Sequence, residues 1–272
     1  MIRVDSAAVI DIIRDTAKAV ILPRFHHLAA GDVREKGPGD YVTIADTEAE
    51  ALLTRRLTDL LPGSLVVGEE AVAADCCVLD RLKEDAPVWI IDPVDGTANF
   101  AHGRKKFAVI VALAVGGETV MGWIHDPLND RTAFGEKGAG AFIGETRLQL
   151  RDDVPLAEMH GNCRKTSALS RTIKNIHRNG SAAHDYLDLL EGRCQFAHYL
   201  RMKPWDHAAG VLMQLEAGGY AALCDGRAYS PALCEGHLLM APSKASWDLL
   251  RAMLYGDTFR QWMPACGGMT MI

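Results

Sequence analysis

One passage constrains this 272-residue chain more than any other: Trp89-Ile90-Ile91-Asp92-Pro93-Val94-Asp95-Gly96-Thr97. A short apolar run bounded by breakers reads as a buried strand. Here it stops on two carboxylates, with Pro93 between them and Gly-Thr behind them. Proline holds φ near about −65° and carries no N–H, so the turn is stiff and the Val94 carbonyl is free to face the carboxylates. Two carboxylates and a carbonyl at one turn make an all-oxygen ligand set, the kind that hard divalent cations prefer. Gly96 permits close backbone approach, and a helix opening here would aim the N–H groups of Gly96 and Thr97 at an anion. A purely structural reading makes Asp92 and Asp95 helix caps. Capping accounts for one Asp, but not for two followed by Gly-Thr.

The surrounding pattern is helix first, then strands. Asp5 or Ser6 can cap a helix whose apolar face is Val9, Ile10, Ile13, Ala17, Val20 and Ile21, ended or kinked by Pro23. The segment from Gly31 to Asp40 carries Lys36 and a Gly-Pro-Gly that argues against regular structure. A second helix begins near Asp46 or Thr47, with Ala49, Leu52, Leu53, Leu57 and Leu60 at helical spacing, and Pro62-Gly63 stops it. Leu65–Val67, Val88–Ile91, Phe107–Val115, Thr119–His125, Thr132–Gly135 and Ala139–Ile143 then read as strands, so the first half is α+β. Beyond a composition shift near Leu150–Pro155, the reading is helix 181–190, strand 195–199, helix 206–217, strands 220–223 and 237–241, and helix 243–254, an α/β alternation. The expected division is therefore 1–150, carrying most of the acidic ligands, and 151–272, completing the site, as one compact unit. There is no internal repeat, and the tail from 256 to 272 carries no signal.

Composition narrows the class. With 49% apolar and 24% charged residues the chain has the balance of a soluble globular protein. A net charge of −6 argues against a nucleic-acid surface, and Arg104-Lys105-Lys106 reads as a solvated edge. The N-terminus lacks the apolar stretch of a signal peptide, and the longest apolar run, Phe107–Val115, is far short of the ~20 residues that span a bilayer. The expectation is a soluble, cytoplasmic protein with no membrane partner. The seven Cys include no C-x-x-C, so idle or buried thiols are expected rather than a zinc site.

Other acids recur at strand-to-helix junctions. Glu69-Glu70 follow Leu65-Val66-Val67-Gly68, Asp46 stands where the second helix starts, and Asp206 follows Pro204-Trp205. A lone Asp at a helix start is usually a cap. The repeated arrangement points elsewhere, because ligand sites in α/β sheets lie at such junctions. No Cys or His sits in these blocks in a nucleophile arrangement, and His125 and His207 read as packing or surface.

Together the blocks Asp40-Tyr-Val-Thr43-Ile-Ala-Asp46, Gly68-Glu69-Glu70, Asp92-Pro-Val-Asp95-Gly96-Thr97-Ala-Asn-Phe, Gly180-Ser181-Ala182-Ala183, Pro204-Trp205-Asp206 and Glu216-Ala-Gly218-Gly219 resemble the inositol monophosphatase family, within the Li⁺-sensitive, Mg²⁺-dependent sugar phosphatases. The resemblance implies a layered αβαβα sandwich, usually a homodimer, acting on a small phosphorylated polyol or sugar. It implies that Glu70, Asp92 and the Val94 carbonyl hold one Mg²⁺, that Asp92, Asp95 and Asp206 hold a second, and that Glu70 with water holds a weaker third. Mn²⁺ would substitute, and Li⁺ and Ca²⁺ would inhibit. Asp46 and Thr97, with Glu70, would activate the attacking water. Gly96 and Thr97 would seat the phosphate, and Asp95, Ala182 and Glu216 would face substrate hydroxyls. Chemistry agrees: phosphate monoesters hydrolyse very slowly unaided, metal ions lower the pKa of water and clamp phosphoryl oxygens, and so many adjacent carboxylates need cations to neutralise them.

Two departures bear on specificity. Arg104-Lys105 stand where the family commonly has an aromatic and then Pro, and His184 replaces an apolar residue after Gly-Ser-Ala-Ala. Inositol monophosphate is the first substrate expectation. Histidinol phosphate, 3′-phosphoadenosine 5′-phosphate and fructose 1,6-bisphosphate are alternatives, and Glu216 would suit either a polyol or the amine of histidinol. A non-catalytic sugar-phosphate binder would not need Asp46 and Thr97, and both are present.

Overall fold

The computed structural model describes residues 4–163 and 167–256; the tail from 257 to 272 lies outside them. Helix α1 (Ser6–Thr16) starts where Asp5 accepts the Ala7 N–H at 3.0 Å. It continues through a wider π-type turn, 17–21, to a short 3₁₀ turn containing Pro23. Strands β1 (Val33–Gly37) and β2 (Asp40–Thr43) pair antiparallel. This corrects the expectation of an irregular loop: Pro38 and Gly39 occupy only the bend, which leaves the flanking residues free to pair. Helix α2 runs Ile44–Leu60, two residues earlier than expected. Its cap is Thr43, and Asp46 at the third helical position reaches back to the Thr43 N–H at 2.8 Å. Both partners of a reciprocal capping box are thereby satisfied.

Seven strands follow in one sheet: β3 (Leu65–Gly68), β4 (Val88–Asp95), β5 (Ala108–Val115), β6 (Glu118–Asp126), β7 (Arg131–Glu136), β8 (Gly140–Ile143) and β9 (Thr146–Arg147), in that spatial order. Only β3 and β4 are parallel; the rest is an antiparallel meander. β5 and the first half of β4, 88–91, are unbroken apolar runs because both faces of the sheet are covered. Trp89, Ile91 and Val111 pack with Ile13, Leu53 and Leu57 of α1 and α2 on one side. Ile90, Ile110 and Ala112 pack on the other side with α6 (Ala182–Leu190) and α7 (Pro204–Glu216), through Tyr186, Ala209 and Met213.

The second sheet orders β11 (Asn175–His177), β10 (His160–Asn162), β12 (Phe196–Tyr199), β14 (Leu238–Ala241) and β13 (Tyr220–Leu223). One face shares the α6/α7 layer through Leu223, Leu238 and Met240; the other is covered by Trp247 and Leu250 of α8 (Lys244–Tyr255) and Leu169 of α5 (Ser167–Thr172). The layers are helices, sheet, helices, sheet, helices: the expected αβαβα sandwich. The second half is not a regular α/β alternation, however. β10 pairs parallel with β11 and β12, whereas β14 is antiparallel to β12 and β13. The strands β10 and β11 are three residues each, too short to leave a periodic signature. Among the described residues no helix is long and apolar enough to cross a membrane.

Candidate active site

The carboxyl ends of the parallel pair β3 and β4 meet the starts of four helices: α3 (Glu69–Ala74) after β3, α4 (Thr97–Ala101) after β4, and α6 and α7 from the layer beneath. A cleft of about 580 Å³ opens there, and Glu69, Asp92, Asp95, Gly96, Thr97, Ala182 and Asp206 line it.

Asp92 and Asp95 reach the same side of β4 by a bulge. Residues three apart in a regular strand face opposite ways. Asp92 sits opposite Ile110 and Asp95 opposite Ala108, so β4 spends three steps where β5 spends two. The extra residue restores a common face. The strand therefore continues through Pro93 to Asp95 rather than ending at Ile91. Gly96 then turns the chain at φ 85°, with its Cα so close to the Lys106 carbonyl that an added Cβ would lie 2.8 Å from it. Only glycine meets both conditions without strain.

Carboxylate oxygens of Asp92, Asp95 and Asp206 lie within 4.8 Å of one another. Asp95 is tied to the start of α6: it accepts the Ala182 and Ala183 N–H groups, each at 2.9 Å, and the Ser181 hydroxyl. Burial raises its pKa, and those hydrogen bonds oppose the rise. Asp92 is 2% exposed and its Oδ1 has no hydrogen-bond partner. Burial, with Glu69, Asp95 and Asp206 around it, holds its carboxyl well above the usual carboxylate range. Burial, then Asp95 and Glu69, does the same to Asp206. Buried carboxylates this close cannot all ionise without cations. An orphaned buried oxygen among all-oxygen donors fits a hard divalent ion.

Two ammonium groups enter the cluster from its rim. Lys36 on β1 lies 3.3 Å from Glu69 and 2.9 Å from Glu70, and Lys203 lies 3.5 Å from Glu69. Burial works against the charge on each, but the facing carboxylates prevail and both pKa values are raised.

From the cleft wall, Thr97 reaches back: its Oγ1 lies 3.0 Å from Asp46 Oδ1 and 2.9 Å from the Val94 carbonyl oxygen. Asp46 Oδ2 accepts from the Thr43 N–H at 2.8 Å and the Thr43 hydroxyl at 2.5 Å. Burial pushes the Asp46 carboxyl up to about 7, against the pull of those bonds.

Three sequence expectations change. Glu69, not Glu70, enters the cleft wall and faces Asp92; the Glu70 carboxylate pairs with Lys36. Successive residues in the first turn of a helix point about 100° apart, so only one of the pair can face the cluster. Glu216 is nowhere near the cleft: at the end of α7 it accepts the Gly138 N–H at 2.7 Å and the Gly140 N–H at 3.0 Å, fixing the β7–β8 turn. Ala182 lines the cleft, but its N–H is already given to Asp95. Of the basic run, Lys106 donates to Asn179, while Arg104 and Lys105 are exposed. His184 packs its ring against the Phe107 carbonyl, 3.2 Å away.

The model of the inositol monophosphatase family matches residues 3–254. The chain belongs to that family. It is 34% identical over 205 residues to the inositol-1-monophosphatase of Mesorhizobium japonicum, covering 70% of this chain and 75% of that one. It is 31% identical over 254 residues to the Nus factor SuhB of Haemophilus influenzae, covering 88% and 92%. Among solved structures, a Thermotoga maritima IMPase superposes with a TM-score of 0.77 at 26% identity, over 90% of this chain and 94% of that one. The members are phosphatases that generally use divalent metals, and the buried acidic cluster is where this member would hold them.

Several residues lining the cleft were given no site role from the sequence. Lys203, Asp185 and Tyr199 carry no distinctive spacing, whereas Ser181 stands in the 180–183 block with no role assigned to it. Asp185 and Tyr199 line the far side of the cleft, where the Tyr199 hydroxyl donates to Asp185 at 3.0 Å. Lys203 could have been noticed as a cation three residues before Asp206.

Proposed function

We propose that this chain is a Mg²⁺-dependent phosphomonoesterase acting on a small polyol or sugar phosphate, with inositol monophosphate the first candidate. The observation that carries the reading is the convergence of Asp92, Asp95 and Asp206 within 4.8 Å, with one buried Asp92 oxygen left without a partner. Glu69, Asp92 and the Val94 carbonyl would hold one ion, and Asp92, Asp95 and Asp206 a second; Mn²⁺ would serve, and Li⁺ and Ca²⁺ would inhibit. Such ions supply a nucleophilic water at neutral pH and clamp the phosphoryl oxygens.

The chain's own residues do the rest. Thr97 takes a proton from the attacking water at Oγ1 as it passes its own to Asp46 Oδ1, 3.0 Å away. A carboxyl titrating at about 7 is well placed to receive it. The turn at Gly96 and Thr97 seats the phosphate beside the cluster. Asp185 Oδ1, which has no hydrogen-bond partner, and Tyr199 replace Glu216 as the groups meeting substrate hydroxyls. Glu70 keeps Lys36 in place rather than holding an ion, and a homodimer in the cytoplasm is the working state.

Purified protein should release phosphate from at least one of inositol 1-phosphate, histidinol phosphate, fructose 1,6-bisphosphate and 3′-phosphoadenosine 5′-phosphate with Mg²⁺, and from none in EDTA. The Thermotoga maritima relative named fructose-1,6-bisphosphatase/inositol-1-monophosphatase, 30% identical over 203 residues, supports including the bisphosphate. Silence on the whole panel with Mg²⁺ supplied would end the enzymatic reading. Light scattering showing a monomer at micromolar concentration would remove the dimer.

A further inference from the structure

We propose that Glu50 is a positioning residue for the metal site: its carboxylate holds the first turn of α3 so that Glu69 reaches the acidic cluster. The proposal rests on the reading of Glu69 as an ion ligand.

α3 is only six residues long, and Gly68, at its cap position, has no side chain to satisfy the free N–H groups. Glu50, on α2, fills that role from outside. Its Oε2 accepts the Glu70 N–H and its Oε1 the Ala71 N–H, each at 2.8 Å. The carboxylate also rests on Gly68 itself: a Cβ there would lie 2.3 Å from the Glu50 carboxyl carbon. Glu69 is therefore gripped on both sides, by contact at residue 68 and by a hydrogen bond at residue 70. Glu50 is 7% exposed and does not line the cleft.

The choice of residue is informative. Glu50 is buried beside Glu70 and Glu69, whose charges oppose its own. A further acid beside an acidic cluster is a poor choice if any cap would do. Two successive N–H groups facing two oxygens need a carboxylate, however. Glutamine offers one acceptor and would turn its NH₂ against the other N–H. Residues that orient a ligand from behind commonly cost about 10–100-fold in metal affinity when changed.

The test is calorimetric titration of Mg²⁺ and Mn²⁺ into metal-stripped protein, with kcat and KM measured across Mg²⁺ concentrations. E50Q should bind metal about tenfold more weakly or worse. Its kcat should recover as Mg²⁺ is raised, and substrate KM at saturating Mg²⁺ should stay within about twofold. G68A, whose Cβ would drive the carboxylate off the turn, should show the same signature. Wild-type metal affinity in folded E50Q or G68A would overturn the proposal. Should neither variant fold, amide exchange in the wild type decides: the Glu70 and Ala71 amides should be protected and should slow further on adding Mg²⁺. Loop-like exchange, or none of that slowing, would also overturn it. Wild-type protein that binds no divalent ion would instead refute the metal-site reading itself.

Discussion

Asp92→Asn should make the metal-free protein more stable while abolishing its activity. Asp92 is 2% exposed, its Oδ1 has no partner, and Glu69, Asp95 and Asp206 all oppose its charge. The effective penalty for a buried ion in proteins is several kcal/mol, and an amide of the same shape removes it. After allowance for imperfect hydrogen bonding by the new NH₂, the gain in EDTA at pH 8 is about 2–4 kcal/mol. The sign follows from linkage. Burial raises the folded-state pKa above the unfolded value of about 3.9, so the penalty is absent below that pH and grows as pH rises toward the folded pKa. The variant's advantage should therefore be near zero at pH 4 and largest at neutral to alkaline pH. Urea unfolding in EDTA at several pH values reads it directly. Saturating Mg²⁺ should cancel the advantage, because an ion at about 1,000 times its Kd stabilises the wild type by about 4.1 kcal/mol and the variant hardly at all. A variant no more stable than wild type in EDTA at pH 8, or one that keeps Mg²⁺-dependent activity, would refute the argument that charge crowding at Asp92 is what the metal relieves.

Gly96→Ala should lose about 2–4 kcal/mol in urea unfolding, from left-handed backbone strain and the contact with the Lys106 carbonyl, and phosphatase activity should fall with it. Wild-type stability would show that the φ of 85° imposes nothing. Lys203→Met removes one of the two ammonium groups at Glu69, so calorimetry should find tighter Mn²⁺ binding, by about 2–5-fold for a half-exposed competitor, and lower metal-free stability. Unchanged affinity would mean that Lys203 does not compete for Glu69. Glu216→Gln should cost about 1 kcal/mol through one lost acceptor at the Gly138–Gly140 turn, yet leave kcat and KM within about twofold. A large rise in KM would return Glu216 to the substrate site.

The local steps were legible in the sequence because each is enforced within a few residues. The apolar run before Asp92 can only be a buried strand, Pro93 and Gly96 stiffen and turn it, and the ordered acidic blocks fix the family and its layered fold. What the sequence left open depends on direction. Glu69 and Glu70 are chemically alike and adjacent, and only the docking of α3 against Glu50 and Lys36 decides which one faces Asp92. Asp92 and Asp95 share a face only because β5 forces a bulge, a property of the pairing and not of either strand. Glu216 sat in a matching block, yet α7 is long enough to carry its end away from the site that its beginning, Asp206, helps to build. Sequence therefore determined which groups are present and the chemistry they can do. Packing determined which of them meet, because a carboxylate's role depends on the few ångströms and the single face that only tertiary contacts assign.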